Sequence, residues 1–187
     1  MAVMDSNITA QQAREDRAIY RALRLLEGRM RAPGAQLNDT RAVQAYLVLH
    51  LAEKEREIFT ALWLDIQHRV IAADDMFAGT LTQTSVYPRE VIKRALQHNA
   101  AAVIFAHNHP SGVAEPSQSD QLLTSALKQA LAMVEVRVLD HFIVAGDGVL
   151  SFAACGLLGL GEVRGDERRR KKRTRKTAKA ETATATA

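Results

Sequence analysis

Helical and strand-like periodicities alternate along most of the chain and predict its elements. Apolar side chains recur at helical spacing in residues 8–31, and a second helix is expected from near Thr40, after a Pro-Gly loop at 32–39. Pro88 suits the first position of a third helix, and a fourth is expected within residues 117–134. In this fourth helix the spacing predicts a core face made of Leu122, Leu123, Ala126, Leu127, Ala130 and Leu131.

Strand-like segments lie between and after the later helices. They occupy residues 57–65, 69–79, 100–106, 135–146 and 149–152. The run at 100–106 is continuously apolar, which is typical of a central strand buried on both faces, and an Asp147-Gly148 turn joins the last two strands. Residues 80–87 predict a further strand or an extended segment. The order of strands, helix, strand, helix and strands predicts an α/β fold with a mixed β-sheet flanked by helices.

Charge and composition divide the chain into three parts. Residues 166–187 hold nine Lys or Arg and three Asp or Glu, a net charge of +6, whereas the other 165 residues carry −2. We expect an N-terminal helical segment at 1–39, a folded domain at 40–163 and a disordered basic tail at 164–187, because the tail has almost no large apolar residues. The tail could bind nucleic acid or another polyanion without sequence specificity, or it could serve as a solubilising segment.

The composition also excludes several classes of site and partner. Cys155 is the single cysteine, which rules out a disulfide within one chain and a cysteine-based zinc site. The sequence contains no run of 18 or more apolar residues and no signal-like N-terminus. We therefore expect no membrane partner and a cytoplasmic location.

The stretch "FAHNHPSGVAEPSQSD" carries the candidate chemistry. Ser117 and Asp120 have the spacing of a helix capping box, and His107 and His109 end a predicted strand. Residues i and i+2 of a strand point to the same face, so both imidazoles can aim at one point. Asp120, on the first turn of the next helix, can return to them and supply a carboxylate. A capped helix and a metal site are therefore compatible interpretations.

Two nitrogen ligands and one oxygen ligand leave a fourth tetrahedral position for water, which is the arrangement of a catalytic zinc (Zn2+) site. Such a site needs a general base and a donor to the developing oxyanion, and the Ser117 hydroxyl could be that donor. Rival metal chemistries fit less well. The zinc deaminases need a Cys-x-x-Cys segment, the His-Glu-x-x-His helix of zinc proteases is absent, and the nucleases called HNH have those residues well apart.

The spacing His-x-His, seven residues, Ser, two residues, Asp resembles the JAMM (MPN+) metalloprotease motif. His107, His109, Ser117 and Asp120 fit it without gaps. Over residues 42–158 the chain is more narrowly similar to the bacterial RadC family. The segments that carry this similarity are "EIFTALWLD", "FAGTLTQTSVYPREVIKRAL", "NAAAVIFAHNHPSG", "PSQSD", "VRVLDHFIVAGDG" and "SFAACGLL".

This resemblance implies a fold related to that of the cytidine deaminases. It implies zinc held by the two histidines and the aspartate of the motif, with the serine assisting the oxyanion. It also implies an upstream glutamate as general base: Glu57 matches the family position, and Glu53 and Glu55 remain alternatives. At the C-terminal edge the chain departs from the family, since Ala154 and Cys155 stand where a glutamate and another polar residue are frequent.

The expected function is that of a zinc-dependent hydrolase of the JAMM type, which cleaves a peptide or isopeptide bond in an unidentified protein or peptide substrate. The alternative is a RadC-like DNA repair or DNA-associated accessory protein whose metal site is structural. Longer RadC-like proteins carry an N-terminal helix-hairpin-helix-type region, and with about 40 residues before the match we expect no complete module of that kind.

Three further residues lie beside the motif in sequence or on a nearby strand. The pair Asp140-His141 could orient a ligand imidazole, or His141 could be a core histidine with satisfied hydrogen bonds. Asn108, between the two histidines, is expected to fix the loop by hydrogen bonds rather than to take part in chemistry.

Overall fold

A mixed sheet organises the part of the chain that the structure describes. The computed structural model describes residues 2–31, 40–79 and 85–159, with side chains in 10–31, 41–79 and 85–159. The helices are α1 (Ala2–Arg31), α2 (Thr40–Leu51), α3 (Pro88–Gln97) and α4 (Gln118–Ala132), and a single 3-10 turn of the described residues spans Leu157–Gly159. The strands are β1 (Ile58–Leu64), β2 (Val70–Ala78), β3 (Ala102–Asn108), β4 (Arg137–Ala145) and β5 (Gly148–Ser151).

The strand order β2-β1-β3-β4-β5 combines antiparallel neighbours with a parallel pair, β3 and β4. A parallel pair needs a long crossover, and α4 provides it. In the β4–β5 hairpin Ala145 pairs with Gly148, so the turn is Gly146-Asp147, one residue earlier than predicted. Gly146 has a φ of +58°, which costs glycine no steric strain. Since β3 and β4 run in the same direction, their carboxyl ends lie at one edge of the sheet.

Alternation along the central strands divides the interior into two cores. On β3, Val103 and Phe105 pack in the core that α3 and α4 cover, whereas Ile104 and Ala106 pack in the core under α1 and α2. Burial of each large apolar side chain contributes about 1.5–3 kcal/mol, and a slip of one residue would reverse every assignment. The two cores therefore fix the register of β3, and the next residue on the α3/α4 side is His107.

The predicted helices are found, with some differences at their ends. α1 begins at Ala2, earlier than the predicted residue 8, while α2 and α3 begin at Thr40 and Pro88 as predicted. No helix within the described ranges is both long enough and apolar enough to cross a membrane. The predicted loop at 32–39 and the tail at 164–187 lie outside the described residues.

The predicted core face of α4 is only partly correct. Leu127 and Leu131 are fully buried, but Leu122 is 64% exposed and Thr124 is 2% exposed. The predicted core residue Ala126 is exposed as well, and because Leu122 and Ala126 lie about one turn apart they share a solvent-facing stripe, whereas the buried stripe passes through Thr124. β3 also extends past the predicted end at residue 106 and includes His107 and Asn108. Residues 80–84 of the possible further strand lie outside the described residues, and 85–87 form neither helix nor strand.

Candidate metal centre

The end of β3 brings the two motif histidines together. His107 pairs with Phe59 of β1 and Ile143 of β4, and its side chain is buried at 1% exposure. His109 follows two residues later, where its backbone N–H still donates to the Val144 carbonyl of β4. The two Nε2 atoms are 3.0 Å apart. Both imidazoles therefore point to one place at the carboxyl edge of the parallel strands.

The first turn of α4 brings the carboxylate. Ser117 is the N-cap: its hydroxyl accepts from the Asp120 N–H at 3.1 Å, and its own N–H donates to Asp120 Oδ2 at 2.8 Å. Asp120 Oδ1 lies 3.5 Å from His107 Nε2, and Oδ2 lies 3.6 Å from His109 Nε2. The capping box is therefore present, and it fixes the carboxylate of Asp120 where it faces the two histidines.

The three side chains fit a metal ion by distance and by donor chemistry. Ligands about 2.0–2.1 Å from a tetrahedral zinc are separated by about 3.3–3.4 Å, and the separations here are 3.0, 3.5 and 3.6 Å. The Nδ1–H of His109 donates to the Val113 carbonyl at 2.8 Å, which leaves the Nε2 lone pair directed at the centre when the ring is neutral. Two imidazole nitrogens with one carboxylate form a ligand set that zinc accepts.

Burial and the carboxylate determine the charges at the centre. Burial lowers the pKa of His107 to about 4, and burial also lowers the pKa of His141 well below its ordinary value. The carboxylate of Asp120 raises the pKa of His109. Burial alone would raise the pKa of Asp120, but contacts from His109 and Ser117 hold it well below its usual range. Near neutral pH the buried rings of His107 and His141 are therefore neutral and the Asp120 carboxylate is ionised, whereas the raised pKa of His109 means that a metal ion would displace a proton from this ring.

His141 contacts a candidate ligand directly. It is fully buried, and its Nε2 lies 2.9 Å from Nδ1 of His107. Its Nδ1 lies 2.6 Å from the hydroxyl of Thr124 in α4. Asp140 instead accepts from the backbone N–H groups of His141 and Ala153, so its carboxylate joins β4 to the segment that follows β5. The sequence left the role of His141 open and missed Thr124, although the spacing of four residues from Asp120 puts the two on one helix face.

Asn108 fastens the segment that carries Glu57. Its side-chain oxygen accepts from the Ile58 N–H at 2.8 Å, and its side-chain NH2 donates to the carbonyls of Lys54 and Arg56 at 3.1 and 2.9 Å. Asn108 therefore does make structural hydrogen bonds, as predicted, but they fix the segment before β1 and not the loop that carries the histidines. Glu57 is the residue before β1, two residues before Phe59, the partner of His107, and its carbonyl accepts from the Gly79 N–H.

The three candidate glutamates differ in their surroundings. Glu57 is half-buried, and its carboxylate is close enough to His109 to contribute to the raised pKa of that ring. Glu53 and Glu55 are exposed in the turn that follows α2. The Ser117 hydroxyl lies 2.6 Å from Asp120 Oδ2 and donates to it, so in this structure its proton is engaged with the carboxylate.

Comparisons with known proteins match the same region. The family model described as "RadC-like JAB domain" matches residues 37–157. Similar proteins include UPF0758 proteins of Nitrosospira multiformis (59% identity over 137 residues, 73% of this chain and 61% of that protein) and Thiobacillus denitrificans (61% over 125 residues, 67% and 56%). Another, from Dechloromonas aromatica, is 65% identical over 117 residues, 62% of this chain and 52% of that protein.

The chain spans between about half and three fifths of the length of these relatives. The names of these relatives state no activity. The family model, however, covers more than half of this chain and includes β1, β3, α4 and β4, the elements around the metal centre. On that evidence the chain belongs to the RadC family, whose shared unit is a JAB domain.

Proposed function

We propose that this chain is a zinc-dependent hydrolase of the JAMM type that cleaves a peptide or isopeptide bond. The observation that carries the proposal is the convergence of His107, His109 and Asp120, whose ligand atoms all lie within 4.8 Å of one another. Membership of a family with a JAB domain supports it. Three protein ligands with one remaining position are the arrangement of catalytic rather than structural zinc sites.

The ligand set favours a transition-metal ion such as zinc over magnesium or calcium. Neutral imidazoles suit zinc, copper, iron and nickel, whereas magnesium and calcium prefer sites built from oxygen alone. The single cysteine, Cys155, is exposed and is not part of the ligand cluster within the described residues. When bound, zinc would supply a Lewis acid that acidifies water and polarises a carbonyl.

The residues of the chain would handle the proton and the oxyanion. Glu57 would take a proton from the attacking water and pass it to the leaving amine. One carboxylate near the reacting atoms would then serve first as general base and afterwards as general acid. The Ser117 hydroxyl would turn from Asp120 Oδ2, now 2.6 Å away, to donate to the developing oxyanion. The buried ring of Phe59 stacks against His107, with the two centroids 6.4 Å apart, and would shield that side of the centre from water.

Metal content and turnover together test the proposal. The purified chain should contain one zinc ion, and a His107→Ala/His109→Ala variant should contain none. Hydrolysis of a library of quenched fluorescent peptides, including isopeptide-linked members, should be measured for the zinc-loaded chain and for Glu57→Gln. We expect Glu57→Gln to keep zinc and to lose at least about 100-fold in rate. Absence of zinc, or equal rates in the two chains, would contradict the proposal.

A further inference from the structure

A line of hydrogen-bonded groups connects the backbone of α4 to the metal centre. The Thr124 hydroxyl oxygen lies 2.6 Å from the carbonyl oxygen of Asp120 and 2.6 Å from Nδ1 of His141. His141 Nε2 lies 2.9 Å from Nδ1 of His107. The opposite nitrogen of His107, Nε2, faces the other two ligand groups. Each group in this line therefore has a neighbour on both sides.

The direction of the protons along this line follows from the first group. A carbonyl oxygen can only accept, and the Thr124 hydroxyl has one proton to donate. At 2.6 Å the hydroxyl must donate to the carbonyl of Asp120, so it accepts from Nδ1–H of His141. A neutral imidazole carries its single proton on one nitrogen, so His141 Nε2 accepts from Nδ1–H of His107. His107 is then left with a lone pair on Nε2.

We propose that Thr124 and His141 are positioning residues that hold His107 in its Nδ1–H tautomer, with the Nε2 lone pair directed at the metal. This inference rests on the proposed zinc site, but its first step concerns the metal-free chain. The nitrogen that a histidine offers to a metal is set by the hydrogen bond that the other nitrogen makes. In His109 the nitrogen away from the metal donates to the backbone carbonyl of Val113. In the buried His107 the corresponding nitrogen donates to a second imidazole, that of His141.

Among the described side chains around His141, none could replace Thr124 as the hydrogen-bond acceptor for the ring. The ring is fully buried, and its centroid lies 5.6 Å from Phe59, 6.1 Å from Phe105 and 4.9 Å from Phe152. Among the described side chains, the hydrogen-bonding neighbours of the ring are Thr124 and His107. If the hydroxyl were removed, Nδ1–H of His141 would be buried without an acceptor. The ring would then move its proton to Nε2, donate to His107 and force the proton of His107 onto the nitrogen that faces the metal.

The test compares Thr124→Val, which keeps the shape of the side chain and removes the hydroxyl, with Thr124→Ser, which keeps the hydroxyl. Long-range proton–nitrogen correlation spectra of the metal-free chains, labelled with 15N-histidine, report which nitrogen of each ring carries the proton. Zinc affinity is measured by competition with a chromophoric chelator. We expect the Nδ1–H tautomer for both rings in the wild type and in Thr124→Ser, and the Nε2–H tautomer in Thr124→Val.

The expected loss of zinc affinity in Thr124→Val is about 10- to 100-fold, with Thr124→Ser within about threefold of the wild type. An Nε2–H tautomer of His107 in the wild-type spectrum would overturn the inference, whether or not the variants fold. An unchanged zinc affinity in a folded Thr124→Val chain would also overturn it. If the wild-type chain bound no zinc, the proposed function would fail, while the wild-type spectrum would still decide whether Thr124 and His141 set the tautomer.

Discussion

Replacing Asn108 with alanine should separate the two halves of the centre, the metal ligands and the candidate base. The side chain is 2% exposed and makes three hydrogen bonds to the segment that carries Glu57: from the Ile58 N–H, and to the carbonyls of Lys54 and Arg56. Residues 54–57 belong to no helix or strand, and their backbone bonds include those from the Lys54 N–H to the Leu51 carbonyl and from the Gly79 N–H to the Glu57 carbonyl. The amide of Asn108 attaches this segment to β3 at three points.

The size of the effect follows from those three bonds. Each contributes about 1 kcal/mol net, and a backbone N–H left buried without a partner costs about 1–3 kcal/mol. Lys54 and Arg56 are exposed, so water can replace the amide at their carbonyls, whereas the Ile58 N–H is part-buried. We expect Asn108→Ala to lower the free energy of unfolding by about 2–4 kcal/mol. A displaced Glu57 should lower peptide turnover by about 100-fold, since an error of about 1 Å in a catalytic group has that cost.

Urea unfolding, zinc competition and peptide turnover measure the three consequences. Zinc affinity should stay within about threefold of the wild type, because the Asn108 side chain bonds to the segment before β1 rather than to the ligand groups. The reasoning would be refuted by a chain of unchanged stability, or by zinc affinity falling as far as turnover.

Asn108→Asp is the matched control. Its carboxylate would face two carbonyl oxygens, which raises its pKa in the folded chain, so stability should be highest at low pH and be lost as pH rises through that value. Relative to Asn108→Ala, the aspartate variant should therefore be favoured at about pH 4 and disfavoured at about pH 8.

Three more predictions concern the cap, the protons and the tail. Ser117→Ala should lower the free energy of unfolding by about 1 kcal/mol through loss of the N-cap, and it should weaken zinc binding because the Asp120 carboxylate loses the hydrogen bond from the Ser117 hydroxyl; urea unfolding and zinc titration measure these effects. Because Asp120 raises the pKa of His109, zinc must displace a proton there, so affinity should fall by up to about tenfold per pH unit below that pKa; a pH-independent affinity would contradict this. Deletion of residues 166–187, nine of them basic, should abolish any salt-dependent binding to DNA and leave zinc affinity unchanged, which a binding assay at several salt concentrations can check.

Most of the features that were predicted correctly depend on residues close together in the sequence. The start of α3 follows from Pro88, and the capping box follows from Ser117 and Asp120, since both features depend on neighbours within one helical turn. The common face of His107 and His109 follows from strand alternation alone. These inferences needed no knowledge of distant parts of the chain, because the forces involved act within about four residues.

Contacts between residues far apart in the sequence could not be predicted from local spacing. Asn108 bonds to residues 50 to 54 positions away, and Thr124 meets His141 17 positions away. Both depend on which strands are neighbours and in which register, and the buried areas of the two cores decide that. The burial of Thr124 and the exposure of Leu122 have the same origin, since helical spacing predicts that a buried stripe exists but not how the helix is rotated against the sheet.

Residue types and local spacing alone identify two imidazoles and one carboxylate as candidate metal ligands, together with the short-range geometry that lets them converge. How those side chains are held depends on the packing of distant segments: the antiparallel pairing of β1 with β3 places Phe59, two residues after Glu57, opposite His107, and the parallel pairing of β4 with β3 brings His141 within hydrogen-bonding distance of His107. The two kinds of feature differ in the sequence distance over which the forces behind them act. Side-chain direction is set by local backbone geometry, whereas the contacts that fix a proton or a base depend on long-range packing.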